Sequence, residues 1–74
     1  MKLSDLTINQ KATITKINSN DDLKQRFYSF GIVRGAEILV QATSLAKNTM
    51  EILVEDTSIA LRVDEAEKIE VTLS

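Results

Sequence analysis

Apolar residues recur along this chain at two different spacings, and the spacing switches around its two glycines. The run Ala12-Thr13-Ile14-Thr15-Lys16-Ile17 is β-branched and roughly alternating, which predicts a strand. Leu23, Phe27 and Phe30 then follow at i, i+4 and i+7, the buried face of a helix of about three turns. This helix is expected near residues 20–30. Ser19 with Asp22 three residues later reads as its capping-box start, and acidic residues in the first turn suit the helix dipole. Past Gly35, strict alternation returns. Ile38, Val40 and Ala42 alternate with Glu37, Leu39 and Gln41; Met50, Ile52 and Val54 alternate with Glu51, Leu53 and Glu55; Ile59, Leu61 and Val63 alternate with Ala60 and Arg62. These are half-buried, antiparallel-type strands. The polar loop Thr43 to Thr49 joins the first two, and a tight turn around Asp56-Thr57 joins the next two. Asp64 is expected to cap a single helical turn, and Ile69 to Leu73 form a last strand. Leu3, Leu6 and Ile8 suggest an N-terminal turn tucked under the fold.

Gly31 falls just after the last helix-compatible residue, where a left-handed conformation carries no Cβ penalty. Gly35 sits just before an alternating run, where the chain must reverse into a sheet. Between them lies a short hydrophobic hook. The order is strand, helix, three meandering strands, one helical turn and a final strand. At 74 residues there is no room for a two-sheet sandwich. The expected fold is mainly β: a small five-stranded SH3-like barrel, 1–74 as a single domain, with one short α-helix plugging it through Leu23, Phe27 and Phe30.

Composition narrows the function classes. The chain is 43% hydrophobic and 27% charged, which is ordinary for a globular domain and unlike a disordered tail. It contains no Cys and no His, so disulfides, zinc sites and Cys- or His-based catalysis are all excluded. The spacing Gly31-x-x-x-Gly35, with no Lys-Ser/Thr after it, does not make a phosphate loop. Asp64, Glu65, Glu67 and Glu70 form an acidic group. It is either a solvated face or a weak divalent-cation or basic-partner patch, and Glu65 and Glu67 could hold a metal only loosely. Lys16 and Arg62 are expected on outer strand faces in cross-strand pairs. No residue is nominated as catalytic, no cofactor is expected, and an enzyme is disfavoured.

A net charge of −2 weighs against a nucleic-acid partner, which calls for a basic stripe. The charge is uneven, however: residues 1–37 carry six Lys/Arg against four Asp/Glu, and residues 38–74 carry three against seven. No uncharged stretch approaches the ~20 residues of a membrane span, so direct membrane insertion is not expected. The opening Met1-Lys2-Leu3-Ser4-Asp5 lacks the apolar core of a signal peptide, making a cytoplasmic location the expectation.

The segment Arg26-Phe27-Tyr28-Ser29-Phe30-Gly31-Ile32-Val33-Arg34-Gly35-Ala36-Glu37-Ile38 resembles the signature of the FeoA family. In that family an Arg-plus-apolar helix end meets a Gly, a hydrophobic pair, a second Gly and a strand. The stretch Ile59-Ala60-Leu61-Arg62, Glu65-Ala66, Ile69-Glu70-Val71 is similar to the family's second motif, and Met1 to Leu6 resembles its opening. The chain departs from the pattern at Arg34, where proline is common, at Asn9 and Asp56, where glycine or proline is common, and in the loop Ser44 to Thr49.

The resemblance implies a small cytoplasmic SH3-like protein accessory to FeoB, the membrane ferrous iron transporter with a cytosolic G-protein domain. An alternative is a regulatory barrel like the C-terminal domain of metal-dependent repressors. There the barrel follows a helix-turn-helix and a dimerisation domain; this chain begins at the barrel itself, so a free-standing protein is the expectation. Four residues are candidate partner contacts. Tyr28 lies about 100° round the helix from Phe27 and should be at least partly exposed. Leu45 stands in a polar loop. Ile32 either stands proud of the glycine hook or turns beneath it. Arg26 either adds a charge beside Tyr28 or pairs with Asp22 one turn earlier. The structural turns are Gly31 and Gly35.

Overall fold

The computed structural model describes residues 1–74. A single 3₁₀ turn at Leu3–Asp5 leads to strand β1 (Lys11–Ile17), helix α1 (Asp21–Ser29), strands β2 (Glu37–Ser44), β3 (Thr49–Val54) and β4 (Thr57–Arg62), a one-turn helix α2 (Val63–Ala66), and strand β5 (Ile69–Leu73). The strands form one antiparallel sheet in the order β4-β3-β2-β1-β5. The mainly β, five-stranded architecture with one main helix is therefore the one the periodicity predicts.

Two register shifts help curl the sheet. One falls in β1 between Ile14 and Lys16, the other in β2 between Val40 and Ala42. An extra residue on one strand raises the local twist and bends it. The second shift interrupts the in–out alternation: Ile38 and Val40 are buried, whereas Ala42 is only half-buried. The inward faces and the loops above them contribute a core of 18 buried residues, all hydrophobic. No side-chain polar atom is buried without a partner, so the core carries no desolvation penalty of that kind.

Helix α1 starts one residue later than the capping-box pattern suggests. Asn20, not Ser19, is the N-cap: it has extended φ/ψ, and its Oδ1 accepts the Leu23 N–H at 2.9 Å. The short turn α2 likewise opens at Val63, not at Asp64; Glu65 folds back so that its Oε1 accepts the Arg62 N–H at 3.0 Å. The hairpin turn after β3 is Glu55-Asp56, with Thr57 already in β4. Strands β2 and β3 also run further into their loop than alternation indicates, leaving only residues 45–48 between them.

The helix ends in a Schellman motif. Gly31, with φ +84°, is the left-handed residue. Its N–H bonds the Tyr28 carbonyl at 3.0 Å, and the Ile32 N–H reaches back to the Phe27 carbonyl at 2.9 Å. This geometry decides one open reading and corrects one expectation. Ile32 lies at the position whose side chain folds back toward Phe27, and both are buried in the one core cluster. Phe30, expected as the third core residue of the helix, is the cap residue and is 41% exposed. Ile32 fills the place predicted for Phe30, while Leu23 packs against the core from a half-buried position. At the N-terminus Leu3 and Leu6 are buried as expected, but Ile8, beyond the 3₁₀ turn, is exposed.

Candidate functional site

The hook between the glycines is fixed by hydrogen bonds at both ends. On one side stands the helix cap. On the other, the Gly35 N–H donates to the Ile14 carbonyl at 2.7 Å, and the Ile14 N–H donates to the Ala36 carbonyl at 2.9 Å. Gly35 adopts φ +91°, a conformation that glycine takes without strain. The hook is thereby pinned across β1 just before the register shift, which brings Arg34 to the same cleft as Thr15, Lys16 and Ile17 of β1 and Lys24 and Tyr28 of α1.

Outward from this frame, Tyr28 is 52% exposed, Phe30 41% and Val33 40%. Three large apolar side chains thus reach solvent from the end of α1 and the hook. Of the candidate contacts, Tyr28 and Arg26 share this helix, and Leu45 stands completely exposed in the β2–β3 turn. Ile32 does not belong to the surface; it is fully buried. Sequence reasoning assigned Phe30 to the core, leaving it off the exposed set. The available signal was Gly31 itself: a left-handed residue there ends the helical phase and turns the following apolar residue inward.

Arg26 does not pair with Asp22. Its guanidinium lies 3.5 Å from the Glu65 carboxylate, the one ion pair in the protein, linking α1 to α2. Arg26 is largely exposed, so the pair is worth at most about 1 kcal/mol. Lys16 faces Glu70 in the β1–β5 register, yet Glu70 accepts a hydrogen bond from Asn18 Nδ2 at 2.8 Å and makes no ion pair with the lysine.

A larger open cleft of about 530 Å³ lies beside the start of β2, lined by Lys11, Glu37, Glu55 and Asp56 around Gly35, Ile38 and Leu53. Its charged groups come from strand ends and a turn, without a nucleophile set beside a base. No three carboxylates converge to share a metal ion; near α2, Glu65 is engaged by the Arg62 N–H and Arg26, and Glu70 by Asn18. No helix is long and apolar enough to cross a membrane.

Comparison with known proteins agrees with this architecture. Residues 1–73 match the FeoA domain model. The chain is 36% identical over 73 residues to a Campylobacter jejuni protein named for Fe(2+) transport, transport protein A, covering 99% of each. Among solved structures, the FeoA protein of Chlorobium tepidum superposes with a TM-score of 0.92 at 29% identity, over 99% of this chain and 70% of that one. The zinc complex of Stenotrophomonas maltophilia FeoA, described as an SH3 domain protein, superposes with a TM-score of 0.84 at 28% identity, over 97% of this chain and 89% of that one. IdeR of T. acidophilum contains a similar domain: TM-score 0.87 and 27% identity over all of this chain and 34% of that one. With the signature hook, the SH3-like sheet and a family match along nearly its whole length, the chain belongs to the FeoA family of ferrous iron transport proteins.

Proposed function

We propose that the protein is a non-catalytic, cytoplasmic accessory protein of bacterial ferrous iron uptake that acts on a FeoB-type membrane transporter by direct docking. The observation that carries this reading is the exposure of three large apolar side chains, Tyr28, Phe30 and Val33, around a hydrogen-bonded helix end. Aromatic residues on a pre-formed surface supply interface energy out of proportion to their number, with little ordering cost. Tyr28 and Arg26 on α1 and Leu45 in the β2–β3 turn are the proposed contacts.

Iron handling by the protein itself is proposed to be weak. With only carboxylate and carbonyl oxygens to offer, the chain lacks the imidazole and thiolate donors that hold ferrous iron firmly at neutral pH. Its contribution to uptake is then made through the partner.

The test is uptake of radiolabelled ferrous iron by cells lacking the native protein. The parent protein should restore uptake, and Tyr28→Ala with Leu45→Ser should not, although the variant folds. Restoration by both would remove this surface from the interface; restoration by neither would remove the accessory role. A second reading, a regulatory barrel, is favoured by the likeness to the IdeR domain. It predicts that deleting the protein changes transcript levels of iron-uptake genes while leaving the transporter's activity per molecule unchanged.

A further inference from the structure

The cleft beside Tyr28 carries a charge pattern that the rest of the protein does not share. It holds about 220 Å³ and is lined by Thr15, Lys16, Ile17, Lys24, Tyr28 and Arg34. Three of these six residues are cations and none is an acid. The cations come from three separate elements, a strand, a helix and the glycine hook, so their convergence is a product of the fold. None has an acidic partner within 4 Å, since the protein's one ion pair joins Arg26 to Glu65. Glu70, the acid that the sheet register places opposite Lys16, is held by Asn18. A chain with net charge −2 thus gathers three unpaired cations around a half-exposed tyrosine, a complement to negative charge.

We infer that this cleft docks an acidic segment of a partner protein, with the carboxylates on Lys16, Lys24 and Arg34 and an apolar side chain against Tyr28. The inference rests on the interaction-module reading above and specifies the chemistry of the partner. The lining favours a peptide over a phosphate. A phosphate site is built from converging backbone N–H groups or a helix N-terminus, whereas Lys24 and Tyr28 project from the middle and end of α1. Long cationic side chains around an aromatic ring, with Phe30 and Val33 exposed on the same helix end and hook, suit alternating acidic and apolar side chains instead. Nucleic acid is disfavoured by the overall negative charge.

The experiment is an amide chemical-shift titration of the full chain. Its probes are a short synthetic peptide of aspartate and glutamate around one phenylalanine, the same peptide with lysine replacing every acid, and inorganic phosphate. The acidic peptide should shift the amides of Thr15 to Ile17, Lys24 to Tyr28 and Arg34, and the shifts should weaken as salt is raised. Lys24→Glu with Arg34→Glu should weaken binding by about tenfold or more. The neutral pair Lys24→Gln with Arg34→Gln should weaken it less, and guards against loss of folding by the charge reversal. Lys47→Glu, in the β2–β3 turn and outside the cleft lining, should leave it unchanged. The proposal is overturned if the acidic peptide causes no shifts, if the lysine peptide binds equally well, or if phosphate shifts the same amides and displaces the peptide at equal concentration. The uptake assay separates the two levels. If the parent protein restores uptake and the folded Lys24→Gln/Arg34→Gln variant does so equally, the cleft is wrong and the accessory role stands. If the parent does not restore uptake but binds the acidic peptide at the cleft, the transport role is wrong and the cleft stands.

Discussion

Replacing Gly31 tests the hinge on which both the fold and the surface depend. Gly31 has φ +84°, and a Cβ built there meets only Val54 Cγ1, at 3.7 Å, an ordinary contact. Space is therefore not the obstacle, and the cost of a side chain lies in the backbone. An L-residue in the left-handed region loses about 1–2 kcal/mol. Alanine offsets about 0.4–1 kcal/mol of this by restricting the unfolded chain. Gly31→Ala should thus destabilise by about 1 kcal/mol, lowering Tm by about 4–8 °C in a domain of this size. Valine adds β-branching, for which positive φ is a true outlier, and should approach about 3 kcal/mol. Asparagine tolerates this region and should cost less than alanine. The three variants are compared by thermal and urea unfolding, with an unchanged urea m-value confirming that the same transition is measured. An alanine variant as stable as the parent, or a valine variant no worse than alanine, would refute the left-handed cap and with it the placement of Ile32 and Tyr28.

Glu55 takes the opposite role: a non-glycine residue at φ +49° in the β3–β4 turn, so Glu55→Gly should raise Tm by a few degrees, and a fall would show that the turn is unstrained. Ile32→Ala removes a fully buried side chain and should cost about 2–5 kcal/mol, whereas Phe30→Ala should cost clearly less; equal losses in urea unfolding would contradict their assigned positions. Asn20→Ala should cost about 1 kcal/mol through loss of the helix cap, and Ser19→Ala should leave the urea midpoint close to that of the parent. In competition with a weak chelator, the purified protein should not retain ferrous iron at micromolar concentration, and stoichiometric retention would contradict the proposed role through the partner.

The fold was legible because alternation is a direct imprint of a sheet with one face in the core. Ile38, Val40, Met50, Ile52, Val54, Ile59 and Leu61 all point inward as their period requires. Departures from prediction occur where the backbone leaves a regular period. Ile32 turns inward and Phe30 outward because Gly31 reverses the chain, so extending the helical phase past Ser29 misassigns Phe30. Asn9 and Asn48 occupy left-handed positions at φ +73° and +52°, a role asparagine can fill in place of glycine. At the β3–β4 turn that conformation belongs to Glu55, not to the neighbouring Asp56 singled out by the family pattern.

The exposure of Tyr28 followed from helical phase and that of Leu45 from its polar surroundings. The basic cleft had no comparable signal. Lys16, Lys24 and Arg34 are separated in sequence and meet only because the Gly35–Ile14 hydrogen bond lays the hook across β1. The partners of Arg26 and Glu70 were equally hidden, since a long-range ion pair and an Asn18 hydrogen bond replaced the local and cross-strand pairs that spacing suggests.

The most direct measurement of the central claim is equilibrium binding of the purified protein to a detergent-solubilised FeoB-type transporter, immobilised and titrated. Saturable binding by the parent is predicted. Tyr28→Ala with Leu45→Ser, shown to be folded by its melting curve, should bind about tenfold more weakly or worse. Absence of binding by the folded parent would contradict direct docking, and equal affinity of parent and variant would contradict the surface assigned to it.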